Sequence, residues 1–191
     1  MTDALFRSAH QALLYAYTYA DTQHGTAGAA ERQIALSAKD RYGRIPGSGR
    51  GLRGLDGAAQ AGMIRSLVER NTPPAFRMAV RARFSVLDAK ARRDAVIPLA
   101  LRARHSLPPH VPAWAVVELI AGALGMKANL PHIADRCEVD VRTVRNWRLA
   151  ARKFVVAIEA PGMARVEVLL EDAGIVQAAN SPADSPASTP G

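Results

Sequence analysis

Apolar side chains recur at helical spacing from the start of the chain. Phe6, Ala9, Leu13, Ala16 and Ala20 fall on one stripe, widened by Leu5, Leu14 and Tyr17. Thr2 or Asp3 can cap this first helix, and Tyr15, Tyr17 and Tyr19 crowd its end as core or half-buried packing. The periodicity breaks in a Gly- and Pro-rich stretch, residues 43–57, which reads as a loop. Asp56 then caps a helix ending near Asn71. Thr72 and Pro73 signal the next start, with Thr as N-cap and Pro at the first helical position, and that helix runs to about Ser85. Asp88 opens another, which Pro98 must kink or divide. Pro108, Pro109 and Pro112 mark a turn, after which a helix carries Trp114, Val117, Leu119, Ile120 and Leu124 and is closed by Gly125. Further on, Pro161-Gly162 reads as the end of a long helix. A short helix, Met163–Asp172, follows and Gly174 stops it. From Ala179 onward the chain is Ser- and Pro-rich and is expected to be disordered.

These elements predict a mainly α protein. A multi-helix N-terminal lobe (residues 1–107, with the loop 43–57) precedes a C-terminal helix-turn-helix unit with a long recognition helix (108–177) and a tail (178–191). With 191 residues, 49% hydrophobic, the chain is large enough for one core or two small lobes. Aromatics are only 5%, so Ala, Val and Leu must supply most of the packing. No run of 18 or more uncharged apolar residues predicts a membrane span, and the N-terminus lacks the layout of a secretion signal. Cys137 is the single cysteine. It permits no intrachain disulfide, excludes a thiolate-rich zinc site and reads as a buried, inert thiol. A cytoplasmic location, in a bacterial host cell, is the expectation.

Charge changes the picture. The net charge is +8, but residues 41–110 carry fourteen basic and four acidic side chains, whereas residues 155–191 carry one and five. Nearly all the cations are arginines, which suit bidentate contacts to phosphate and guanine. A basic middle suggests a polyanionic partner. A GC-rich genome, which raises Arg and Ala together, would produce the same composition.

The informative stretch is Asn129–Lys153. Asn129 can cap a short helix whose Ile133 and Ala134 face inward, with Cys137 the last inward residue. Glu138-Val139-Asp140 makes a turn, Val139 plugs the gap between helices, and Asp140 caps a second helix. Val144 and Trp147, three apart, share the inner face, while Val141, Arg142, Arg145, Asn146 and Arg148 lie on or beside the open one. A helix-turn-helix needs this division: an apolar inner face and an outer face that reads a groove. Arg pairs with guanine and Asn with adenine in the major groove of duplex DNA. Val141, Arg142, Arg145 and Asn146 are therefore the expected base readers. Arg148, Arg152 and Lys153 are expected to hold phosphates, and Thr143 to cap or touch a phosphate. Many such motifs carry Gly at the turn; Glu138 stands there instead and must take a less comfortable backbone. A helical hairpin that only packs would share the inner pattern.

The run Ile133-Ala-x-x-Cys-x-Val-x-x-Arg-Thr-Val-Arg-Asn-Trp147, continued through Arg-Leu-Ala-Ala-Arg-Lys-Phe154, resembles the fourth region of bacterial sigma factors and related phage regulators. With Ala9-His-Gln-Ala-Leu-Leu-Tyr-Ala-Tyr17 and Gly54-Leu-Asp-Gly-Ala-Ala-Gln-Ala-Gly-Met-Ile-Arg65, the chain looks like phage late-gene antitermination (Q-like) proteins over roughly residues 4–177. The resemblance implies binding near a late promoter, contact with paused RNA polymerase and suppression of downstream termination. Many proteins of that type carry a cysteine-rich zinc finger between their lobes. The corresponding stretch here, Phe84–His110, has no cysteine, so this chain would be a zinc-free variant.

The remaining signals are weaker. Gly49-Arg-Gly-Leu-Arg-Gly54 matches a dinucleotide-binding pattern, but no strand precedes it and the lysine of a phosphate-cradling loop is missing. It reads as a basic loop whose Arg44, Arg50 and Arg53 are candidate contacts to the DNA backbone or to nascent RNA. His105 and His110 have no metal-pair spacing, and His132 reads as exposed. Glu69, Asp88 and Asp94 are scattered among arginines as partners for them, and Ser48 lies among glycines. No catalytic residue, cofactor or metal is therefore expected. The alternatives are a terminase small subunit recognising a packaging site, a polymerase-binding adaptor that does not itself read DNA, and a DNA-processing enzyme.

Overall fold

The structure, a computed structural model, describes residues 5–23 and 55–176. Among the described residues there are seven α-helices: α1 (Ala9–Gln23), α2 (Leu55–Asn71), α3 (Pro74–Phe84), α4 (Ala89–Ala103), α5 (Ala113–Ala123), α6 (Leu130–Cys137) and α7 (Val141–Asp172). A short 3₁₀ turn, Arg104–Ser106, follows α4. The predicted mainly α class is what the chain adopts. No helix among the described residues is long and apolar enough to cross a membrane.

Local signals set many of the boundaries. Asp88 caps α4 by accepting from the Ala91 N–H at 2.8 Å. Gly125, at φ 88°, closes α5, and the Met126 N–H returns to the Ala121 carbonyl at 3.0 Å. Gly174, at φ 67°, closes α7 in the same way, with the Ile175 N–H on the Leu170 carbonyl at 2.9 Å. Other expected boundaries move. The first helix begins at Ala9, where Ser8 Oγ accepts from the Gln11 N–H; Phe6 lies ahead of it and bridges to Val176. The suggested caps Thr2 and Asp3 lie outside the described residues. Asp56 sits inside α2 rather than before it. Thr72 does not cap α3: it is buried, and its hydroxyl donates back to the Val68 carbonyl at 2.6 Å. Pro73 takes the cap position and Pro74 begins the helix. The ring of Pro73 disfavours helical backbone at Thr72, in keeping with the end of α2 at Asn71. Pro98 is carried inside an undivided α4.

The largest departure is at Pro161-Gly162. The helix does not end there but runs through to Asp172 as one element of 32 residues, about 48 Å long. A proline in a helix interior costs about 3 kcal/mol and a glycine about 1 kcal/mol. Beyond them Val166 and Leu170 are buried in the core, and each such side chain contributes about 1.5–3 kcal/mol. Burial offsets the break.

Buried residues form two clusters. One joins Ala79 and Ala82 of α3, the inner face of α4, α5, Ile133 and Ala134 of α6, and Val144, Trp147, Ala151 and Val155 of α7. The other joins Phe6, α1, α2, the opposite face of α3 (Phe76, Val80, Phe84) and the far end of α7. Neither cluster coincides with residues 1–107 or 108–177: α3 and α7 belong to both. The expected tail, 178–191, lies outside the described residues.

Arginines tie these layers together. Arg83 makes a two-pronged pair with Glu159 (2.6 and 2.7 Å), linking α3 to α7. The Arg92 Nε–H donates to the Ala82 carbonyl at 2.8 Å. The Arg104 guanidinium donates to the carbonyls of Val111 and Pro109, so the Pro108–Pro112 stretch is a pinned turn. Part of the positive charge in the middle of the chain is thus structural.

Candidate nucleic-acid interface

The candidate interface is built from α6, the three residues after it and the first turns of α7. Asn129 Oδ1 accepts from the His132 N–H at 3.3 Å, and Pro131 stands in the first turn, where its missing N–H costs nothing. Glu138 takes the left-handed conformation, φ 52° and ψ 42°. That backbone lets the Val139 N–H reach the Ala134 carbonyl at 3.1 Å and the Glu138 N–H reach Asp135 at 3.3 Å, the hydrogen-bond pattern that reverses a chain at a helix end. It is the strained turn expected where a glycine is usual. Asp140 Oδ1 then accepts from the Arg142 N–H at 2.6 Å and opens α7.

The turn lays α6 against α7, and burial separates their faces. Ile133 and Val144 are fully buried, Ala134 nearly so, and Trp147 is only 4% exposed. The His110 ring meets Trp147 edge-on at 5.7 Å. Trp147 is therefore core, and Cys137 and Val139 are half-buried beside it. On the other side Arg142, Arg145, Asn146 and Arg148 are exposed, as are Arg152 and Lys153 one turn further; Val141 and Thr143 are half-buried. Arg44, Arg50 and Arg53 lie outside the described residues.

Arg145 and Arg148 also line an open groove of about 470 Å³ with Lys127, Asn129, Leu130, Pro131 and Val141. Sequence reasoning passed over Lys127. Its place in the short connection before the Asn129 cap was the available signal, since a cation there sits beside the start of α6. Among the described residues, ion pairs join Arg81 to Glu69, Arg83 to Glu159 and Lys90 to Asp94. The arginines on the outer face of α7 are in none of these pairs.

A second cleft, of about 540 Å³, lies among α1, α2, α3 and the start of α4 and behaves differently. Its cations are engaged: Arg81 with Glu69 at 3.7 Å, Lys90 with Asp94 at 2.6 Å, and Arg77 with the Glu69 carbonyl at 2.9 Å. Burial, with Glu69 nearby, pushes the Tyr17 phenol up to about 12. The cleft holds a charge-balanced set with no free cation facing an incoming anion. Of the three acids expected to partner arginines, Glu69 pairs with Arg81, whereas Asp94 pairs with Lys90 one helical turn away and Asp88 is spent on the cap of α4. His105, His110 and His132 are exposed, and no group of His, Cys, Asp or Glu among the described residues is arranged to hold a metal ion.

Compared with known proteins, the chain matches no family model and no curated sequence.

Proposed function

We propose that the protein is a sequence-specific duplex-DNA-binding regulator that places the first two turns of α7 in the major groove. One observation carries the reading. On a single short helical segment, Val144 and Trp147 are buried while Arg142, Arg145 and Asn146 are exposed and outside every ion pair among the described residues. In this reading Arg142, Arg145 and Asn146 face base edges, with Val141 at the groove wall. Arg148, Arg152, Lys153 and Thr143 hold the backbone, and Lys127 adds a phosphate contact from the far side of the 470 Å³ groove. The resemblance to late-gene antitermination proteins extends the proposal to a cytoplasmic bacterial or phage factor that acts on RNA polymerase at a late promoter.

Selection from a random duplex library, followed by binding titrations, tests the DNA reading. Arg145→Ala and Asn146→Ala each cost about 1–3 kcal/mol on the selected site and little on unrelated DNA. Lys127→Ala weakens all sequences alike and lowers the salt slope by about one. If no sequence is enriched, or if all three variants lose affinity equally on every sequence, the base-reading assignment is wrong. Terminator readthrough in a purified transcription reaction tests antitermination separately. Polymerase binding without DNA binding would make the protein an adaptor.

A further inference from the structure

Among residues 142–153 of α7, Leu149 is the one exposed side chain that is apolar, at 57%. The others exposed there are four arginines, Asn146 and Lys153. One exposed leucine is ordinary on a protein surface; its place on this helix is not. With about 100° between successive residues, Leu149 projects between the directions of Arg145 and Asn146, one turn further along. Arg148 and Arg152 flank it on one side and Lys153 on the other. An apolar point therefore stands in the middle of the outward face, with cations on both sides.

Its spacing gives that point a role. Arg142, Arg145, Asn146 and Leu149 stand at i, i+3, i+4 and i+7. A recognition helix lying in the major groove can read base edges from that set of positions. The first three side chains donate hydrogen bonds, and leucine has none to offer a phosphate or a base. Over the amino group of cytosine or the oxygen of guanine it would strip water and return no hydrogen bond. The apolar feature that the major groove displays is the C5-methyl group of thymine. We infer that Leu149 is a further specificity-determining residue, selecting an A·T pair by packing on the methyl group of its thymine. The inference rests on the major-groove placement of α7 and carries the base-reading row one residue past the second turn. Leu149 follows Arg145 by four residues, about 6 Å along the axis, and stacked base pairs are about 3.4 Å apart. The thymine therefore falls about two base pairs beyond the one Arg145 reads, on the side away from Arg142.

Anisotropy titrations of the full chain with the duplex selected from the random library test this. Each thymine of the site is replaced in turn by deoxyuridine, which keeps the base pair and removes only the methyl group. Burial of one methyl carbon sets the expected effect at about three- to fivefold in affinity. Uracil weakens wild-type binding by that factor at one position, about two base pairs from the one where Arg145→Ala loses discrimination. Leu149→Ala binds the thymine and uracil duplexes equally and keeps its affinity for unrelated DNA. Leu149 is exposed, so shortening it leaves the core intact, and the uracil series on the wild type needs no variant. If no uracil position weakens the wild type, or if Leu149→Ala stays as sensitive to uracil, the inference is overturned while base reading by Arg145 and Asn146 stands. If no site is selected, or if Arg145→Ala and Asn146→Ala lose equally on every sequence, the groove placement falls and takes the inference with it.

Discussion

Gly162 is where the continuity of α7 can be tested most directly. It lies in the interior of a helix, where replacing Gly with Ala ordinarily stabilises by about 0.5–1 kcal/mol. Here an added Cβ would stand 2.0 Å from Phe76 Cδ2 and 2.4 Å from both Cε2 and Cγ. Comfortable carbon contacts begin at about 3.5 Å, so the ring must retreat by about 1.5 Å. Phe76 is 1% exposed and packed among the residues of the second core cluster, so it has no free direction to take. Overpacking of this kind costs about 1–3 kcal/mol and sometimes more. The severity of the contact puts Gly162→Ala near the top of that range, a net loss of about 2 kcal/mol after the helix gain. In a thermal melt that is a fall of about 4–8 °C. Gly62→Ala is the control: Gly62 is also inside a helix, but nothing lies within 4 Å of its added Cβ. It should gain about 0.5–1 kcal/mol. Phe76→Leu combined with Gly162→Ala should be less damaging than the sum of the two by about 1 kcal/mol or more. Urea denaturation of the wild type, Gly162→Ala, Gly62→Ala, Phe76→Leu and the double variant measures all of this. Wild-type or greater stability in Gly162→Ala would refute the close crossing of α3 and α7, and with it the helix that runs past Pro161.

Three further outcomes follow from the packing around Glu138, Arg83 and His10. Glu138→Gly relieves a left-handed backbone and should raise the urea midpoint, by about 1 kcal/mol in stability; a loss would mean the Glu138 side chain supports the turn. Glu159→Ala strands the half-buried Arg83 guanidinium and should cost about 2 kcal/mol, less than a fully buried pair because Arg83 remains 34% exposed; a change below about 0.5 kcal/mol would mark the pair as ornamental. Burial, reinforced by Arg83 and opposed by Glu159, holds the His10 imidazole below its ordinary 6.5. The unfolded chain therefore takes up a proton that the folded one resists. This contribution is complete above the unfolded value and is lost as pH falls below it. Urea midpoints for wild type and His10→Gln, compared between about pH 7.5 and 5.5, should show a smaller acid-side loss in the variant; identical slopes would remove His10 as the cause.

The helices α6 and α7 and the turn between them were legible in the sequence because their signals are local. Asn129 and Asp140 cap helices through contacts two or three residues away, Glu138 turns the chain through its own backbone, and the spacing of Ile133, Val144 and Trp147 marks one face. Asp88 and the glycines at 125 and 174 were readable for the same reason. Lys127 escaped notice because its place on the groove wall depends on α7, which follows it by fourteen residues.

Composition and short-range pattern therefore determined the helical class, most helix ends, and the inner and outer faces of α6 and α7. Tertiary structure decided what those local rules put the other way. Thr72 turned back to bond α2 instead of capping α3, arginines in the basic middle became ties between helices, and Pro161-Gly162 was carried inside α7. The physical reason is one of range. A cap or a turn is satisfied by neighbours a few residues away. Whether a helix survives a proline depends on the apolar surface its far end buries against α1 and α2, and on the Phe76 ring that occupies the space left by a missing Cβ.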